Sequence, residues 1–283
     1  MYHSVIYVIV QLIAYFSGLY LSGLYLYRRY KRYCLKAEFN CIVESDRLIA
    51  NLDIPYRIRN KLEEFSAWNI DFFRENYGKR IVSVLESKNK ECSKRDACLR
   101  KMQLKRYIDK YIRGKRYNKK IFYFKSEDSY RFLSDIGLDR RIENSFKAEL
   151  PWYIYSAYSF WMGPKGSTTT FHYDIDYANL LCILEGKKRV LFVPPRGEGQ
   201  IVPLSSGDNW TDFDPEDETR VKKMKEEGNL YEIIVEKGEI LNIPRNVWHA
   251  VINLEDTVAF TFHYETLESV IYGGLYKVVS NTI

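Results

Sequence analysis

Residues 161–195, WMGPKGSTTTFHYDIDYANLLCILEGKKRVLFVPP, constrain this chain more than any other stretch. Within them His172-Tyr173-Asp174 sits on a run, 169–175, whose residue types favour a strand. Strand side chains alternate faces, so His172 and Asp174 reach toward one point. An imidazole and a carboxylate so placed are two-thirds of the 2-His-1-carboxylate triad, which holds Fe(II) and leaves one face open. Four histidines are available in the whole chain. His3 lies in an apolar N-terminal run and His263 on a late strand. His249 is the candidate third ligand, because the strand-like segment 238–244 leads through a turn, in IPRNVWHAVIN, into a new strand. Taken singly, the pair also fits an ordinary surface strand, and His249 a core histidine beside Trp248.

The surrounding pattern is more specific. Trp161-x-Gly163 with Gly166-Ser167 precedes Thr169-x-x-His172-Tyr173-Asp174, followed by Asn179-Leu180-Leu181, Gly186-x-Lys188 and Pro194-Pro195. Later come Gly238-Glu239-x-Leu241-x-Ile243-Pro244-x-x-x-Trp248-His249. In this order, over roughly residues 60–265, the chain resembles the cupin-like JmjC family of Fe(II)- and 2-oxoglutarate-dependent oxygenases, which includes protein asparaginyl hydroxylases.

The resemblance implies a mainly β fold with flanking helices, a double-stranded β-helix of the jelly-roll type. It implies His172, Asp174 and His249 as the catalytic metal ligands, with Fe(II), 2-oxoglutarate and dioxygen as cofactor and co-substrates. Oxidative decarboxylation of 2-oxoglutarate to succinate and carbon dioxide would then drive attack on an unactivated C–H bond. Lys188, on the strand expected next to the His-x-Asp strand, matches the residue that takes the far carboxylate of 2-oxoglutarate. A buried ammonium without an anion is costly, so the co-substrate explains an inward lysine. Thr169 would donate a hydroxyl hydrogen bond to the same carboxylate, and Asn179 matches a position that touches the co-substrate. On the last core strand the chain departs from its relatives, with Thr261 where asparagine is usual and His263 where an aromatic is usual. Thr261 is still expected at the co-substrate, and His263 shares its face.

Composition sets wider limits. With 46% hydrophobic and 16% aromatic residues the chain can bury a sizeable core. Its 24 tyrosines and 15 phenylalanines suit strands. Five cysteines without a Cys-x-x-Cys pair argue against a disulfide framework and a zinc site. The net charge of +6 is uneven: the 88–120 segment is basic and 208–218 acidic. The basic segment is either a solvated surface or a footprint for nucleic acid.

Taken in order, residues 5–27 hold no charged side chain over 23 positions, enough for one membrane-spanning helix, and Arg28-Arg29-Tyr30-Lys31-Arg32 follows. Positive-inside logic places the rest of the chain in the cytoplasm. A signal peptide or a buried core helix is the rival reading, although nothing basic precedes the run, as a signal peptide requires. An N-terminal elaboration is expected over 36–125, the catalytic core over 126–270 and a tail over 271–283. The first of these should contain a helical stripe over 58–76, a strand at 81–84, a helix through Leu99, Met102, Leu104, Tyr107, Ile108 and Tyr111 that stops near Gly114, and a strand at 121–124. In the core a helix is expected at 126–133 and a strand at 152–160. Residues 179–184 and 188–193 should form a hairpin about Glu185-Gly186. A short helix near 218–227 and strands at 230–235, 239–243, 250–253 and 257–264 complete the pattern.

A protein side chain is the expected substrate. RNA hydroxylation and lysine demethylation are alternatives within the family, and a metal-binding module without turnover is the alternative outside enzymology.

Overall fold

Runs rich in β-branched and aromatic residues form thirteen strands among the described residues of the computed structural model, which are 38–49, 54–87, 98–114, 121–125, 129–147, 155–174, 178–205 and 209–265, with 22, 267, 270 and 271. The strands are β1 Val43–Ser45, β2 Tyr56–Ile58, β3 Ile81–Ser87, β4 Cys98–Gln103, β5 Ile121–Lys125, β6 Tyr155–Gly163 and β7 Thr168–His172. They continue as β8 Ala178–Glu185, β9 Lys187–Val193, β10 Tyr231–Glu236, β11 Ile240–Pro244, β12 Trp248–Asn253 and β13 Thr257–Glu265. The helices are α1 Ile70–Tyr77, α2 Leu104–Tyr107 with a π-helical turn Ile108–Ile112, α3 Ser129–Asp135, α4 Asp139–Lys147 and α5 Glu218–Glu226. Apart from residue 22 the expected 5–27 helix lies outside the described residues, and among those described no helix is long and apolar enough to cross a membrane.

Two sheets result. The larger has the order β1-β2-β11-β8-β13-β6-β5-β3-β4 and the smaller β10-β9-β12-β7. From β6 to β13 the chain divides eight strands between the two sheets, the double-sheet arrangement of a jelly roll. The mainly β fold with flanking helices is therefore as expected.

Alternation sorts the side chains into three apolar layers. On β13, Val258, Phe260 and Phe262 point outward and pack with Phe65, Trp68, Phe73 and Phe132 beneath the helices. Ala259 points between the sheets, where it joins Leu181, Ile183, Val190, Phe192, Leu241 and Ile243. On the far side Leu191 and Val193 of β9 meet Val221 and Met224 of α5. Both faces of the central strands are thus buried, which is why they read as near-continuous apolar runs. Each fully buried ring in these layers contributes about 1.5–3 kcal/mol.

Several local expectations need correction. β8 and β9 do not form a hairpin with each other: β8 pairs with β11 and β13, and β9 with β10 and β12. Gly186 turns the corner between the sheets with φ of +78°, and a Cβ there would lie 2.2 Å from the Asp256 carbonyl oxygen. Strand pairing also overrides the helical spacing of Leu99 and Met102, which lie on β4 against β3, so the helix starts only at Leu104. The 58–76 stripe splits, with Ile58 ending β2 and α1 beginning after Asn69, whose side chain accepts from the Phe72 amide. Because β12 lies between β9 and β7, Lys188 is not on the strand next to His172.

Candidate metal centre

The register between β12 and β7 sets His249 directly opposite His172. Their rings are 4.3 Å apart. β7 ends at His172, yet the chain stays extended enough for Asp174 to reach the same point. Asp174 Oδ1 lies 3.9 Å from His172 Nε2, and Asp174 Oδ2 3.6 Å from His249 Nε2. One ligand atom from each residue lies within 4.8 Å of the other two, so the three expected ligands are brought together.

Backbone carbonyls orient both imidazoles. His172 Nδ1 is 2.9 Å from the Thr170 oxygen and His249 Nδ1 is 3.0 Å from the Val247 oxygen. A carbonyl can only accept, so each Nδ1 carries the proton and each Nε2 presents a lone pair to the shared point. Burial pushes the Asp174 carboxyl up, but the Asn179 amide and the positive charge of His249, His172 and His263 whenever these rings take up a second proton outweigh it and hold the group well below the usual carboxylate range. The acid is therefore ionised and able to ligate. Two neutral imidazoles and a carboxylate, gathered on one side of a cavity, fit a non-haem iron(II) ion.

That cavity, about 400 Å³, runs between the two sheets. Lys188 lines it and is only 1% exposed. Its Nζ donates to Asn253 Oδ1 at 2.7 Å and Tyr123 Oη at 3.3 Å. Thr169 lines it too, which simple alternation from His172 would forbid. A bulge resolves this: between the His249–His172 and Val251–Thr169 pairs, β12 spends one residue and β7 two, Thr170 and Phe171. The extra residue turns Thr169 back to the cavity face.

Residues 50–269 match the family described as cupin-like domain. The chain belongs to this cupin-like, JmjC-type family. It is 26% identical over 219 residues to the chicken (Gallus gallus) 2-oxoglutarate and iron-dependent oxygenase JMJD4, covering 69% of this chain and 48% of that protein. It is 31% identical over 102 residues to JmjC domain-containing protein D of Dictyostelium discoideum, covering 34% of this chain and 22% of the relative. With the lysine-specific demethylase JMJ30 of Arabidopsis thaliana it shares 32% identity over 106 residues, 36% of this chain and 24% of the relative. The matched segments thus span less than half the length of these relatives.

On the cupin-like scaffold the remaining expected residues all reach the cavity. Asn179 lines it, but its Nδ2 donates to Asp174 Oδ2 at 2.5 Å, so it orients the metal ligand. Thr261 accepts from Trp161 Nε1 at 3.2 Å and lies 3.0 Å from His263 Nε2. His263 is a lining residue as well. Sequence reasoning missed Tyr123, Asn253, Asn209 and Trp210. Asn253 could have been found from β12 periodicity, since it lies four residues beyond His249 on the same face. Tyr123 and Trp210 arrive from distant segments with no motif of their own.

A redox-inert probe tests the centre. Mn(II) should bind the wild type at one ion per chain, and Asp174→Ala or His249→Ala should weaken it by about 100-fold or more, roughly 2.7 kcal/mol. Mn(II) affinity unchanged from wild type in both variants, measured by calorimetric titration, would place the ion elsewhere.

Proposed function

We propose that this chain is an iron(II)- and 2-oxoglutarate-dependent oxygenase that hydroxylates a side chain of a protein substrate. The observation that carries the reading is one cavity with a His-Asp-His triad at one end and a buried lysine at the other. On β12 the register partner of Lys188 is Asn253, four residues from His249, about 13 Å along a strand. Lys188 Nζ stays beside that partner, 2.7 Å from Asn253 Oδ1, so the ammonium and the triad are set apart in one cavity.

His172, Asp174 and His249 would hold the metal, and the remainder of the cavity would admit the co-substrate. Lys188, supported by Asn253, meets the far carboxylate, and the Tyr123 and Thr169 hydroxyls are placed to donate to it. Iron with 2-oxoglutarate and dioxygen supplies the oxidising power, giving succinate, carbon dioxide and one oxygen atom for a C–H bond. Asn179 keeps the Asp174 carboxylate turned toward the metal. Leu181, Ile243 and Val251 form apolar cavity wall and limit water. Relatives named as a 2-oxoglutarate and iron-dependent oxygenase and as lysine-specific demethylases support this chemistry and a protein substrate.

With Fe(II) and 2-oxoglutarate under air, the purified protein should release succinate, and His172→Ala should abolish it. Lys188→Ala should raise the KM for 2-oxoglutarate by about 100-fold, the loss of one buried charge-assisted contact, while Mn(II) affinity stays within about threefold of wild type. Metal binding without succinate would instead make the chain a binding module.

The same reading sets the catalytic unit at the cytoplasmic face of a membrane, anchored by one helix. Its support is the uncharged 5–27 run with the basic 28–32 cluster after it. In sealed vesicles the protein should resist carbonate extraction and be digested by protease only from the cytoplasmic side. Release by carbonate would contradict the anchor.

A further inference from the structure

β7 ends the smaller sheet, so the metal ligand His172 stands on an edge strand. Segment 209–211 covers that edge. An isolated bridge pairs Trp210 with His172. The Tyr173 amide donates to the Asn209 carbonyl and the Thr211 amide to the Phe171 carbonyl, both at 3.1 Å, and Asn209 Nδ2 donates to the Tyr173 carbonyl at 2.9 Å. On its other side His172 is paired with His249, which is paired with Phe192. A single cross-strand row therefore runs Phe192, His249, His172, Trp210, and directly opposed side chains on one face are near neighbours. The His172 ring lies 4.4 Å from the Trp210 ring at an interplanar angle of 8°. Its distance to the His249 ring is 4.3 Å at 51°. Trp210 also lines the cavity.

The hydrogen bond from His172 Nδ1 to Thr170 fixes one ring atom but leaves the ring plane to its neighbours. A parallel indole pinned by backbone hydrogen bonds removes that freedom, and its bulk keeps water from the edge side of the ligand. We propose that Trp210 is a positioning residue for His172 and that it sets the affinity of the metal centre. The inference rests on the reading of His172, Asp174 and His249 as metal ligands. Trp210 reaches the metal only through His172.

Anaerobic titration of the full chain with Co(II) tests this, comparing wild type with Trp210→Leu, which keeps bulk without a ring, and Trp210→Phe, which keeps a ring. The Leu variant should bind Co(II) about 10- to 100-fold more weakly, as expected when a partner that orients a ligand is removed. The Phe variant should stay within about threefold of wild type, because offset stacking on His172 persists. The chain has five tryptophans, and the indole emission quenched by bound Co(II) should fall in both variants, which identifies Trp210 as the indole beside the ion. Melting of the metal-free forms reports folding separately. Equal Co(II) affinity in all three proteins overturns the inference, as does equal weakening in the Leu and Phe variants. A wild type that binds no Co(II) overturns the metal-centre reading itself.

Discussion

The pairing of β12 with β7 is the constraint on which the site depends. It sets two imidazoles from residues 172 and 249 on one face at one height, and the two-residue step of β7 against one of β12 returns Thr169 to that same face. In a strand a slip of one residue exchanges the faces, so a register error would send His249 into the apolar layer under α5. What prevents it is burial on both sides of the sheet. Trp248, Ala250 and Ile252 fill the outer layer with Phe171, Leu191 and Val193, and a one-residue shift would bury His249 among them. The same apolar packing that stabilises the fold therefore enforces the geometry of the centre.

Charge follows from this placement. Asp174 is flanked by His172 and His249, with an amide from Asn179, and remains ionised despite its partial burial. At the other end of the cavity Lys188 is buried with hydrogen bonds to an amide oxygen and a phenol. An ammonium so deeply placed favours an anion in the same cavity, and the far carboxylate of a dicarboxylate held at the metal would be one. The cavity thus combines three metal-type ligands and a cation with apolar wall from Leu181, Ile243 and Val251, which favours an anionic ligand with an apolar stem.

Much of this was legible in the sequence, for reasons that differ by residue. His172 and Asp174 announced themselves because strand periodicity acts over two residues, and His249 because the chain has few histidines and a strand-turn-strand pattern before it. Lys188, Thr169, Asn179 and Thr261 are legible only through the resemblance to a known family, and all four line the cavity. Their local partners were not legible. The sequence could not say that Asn179 bonds Asp174, or that a bulge, not alternation, turns Thr169 inward. The β8–β9 corner has the sequence of a hairpin, because a glycine between two apolar strands gives the same pattern in both. Only the choice of partner strands separates them, and that choice is tertiary. Leu99 and Met102 fit a helical stripe with the residues after them, but β3 offered an edge that captured them. Tyr123 and Trp210 carry no local signal at all, since each gains its role by proximity across the fold.

His172, Asp174, His249 and Lys188 line one cavity and are proposed to hold an iron-type metal and 2-oxoglutarate together. A crystal structure of the protein with Mn(II) and 2-oxoglutarate, obtained without oxygen, measures this directly. The metal is expected at about 2.0–2.2 Å from His172 Nε2, Asp174 and His249 Nε2, distances typical of such donors, with the far carboxylate of the acid against Lys188 Nζ. Metal bound at other side chains, or an acid whose far carboxylate lies away from Lys188, would contradict it.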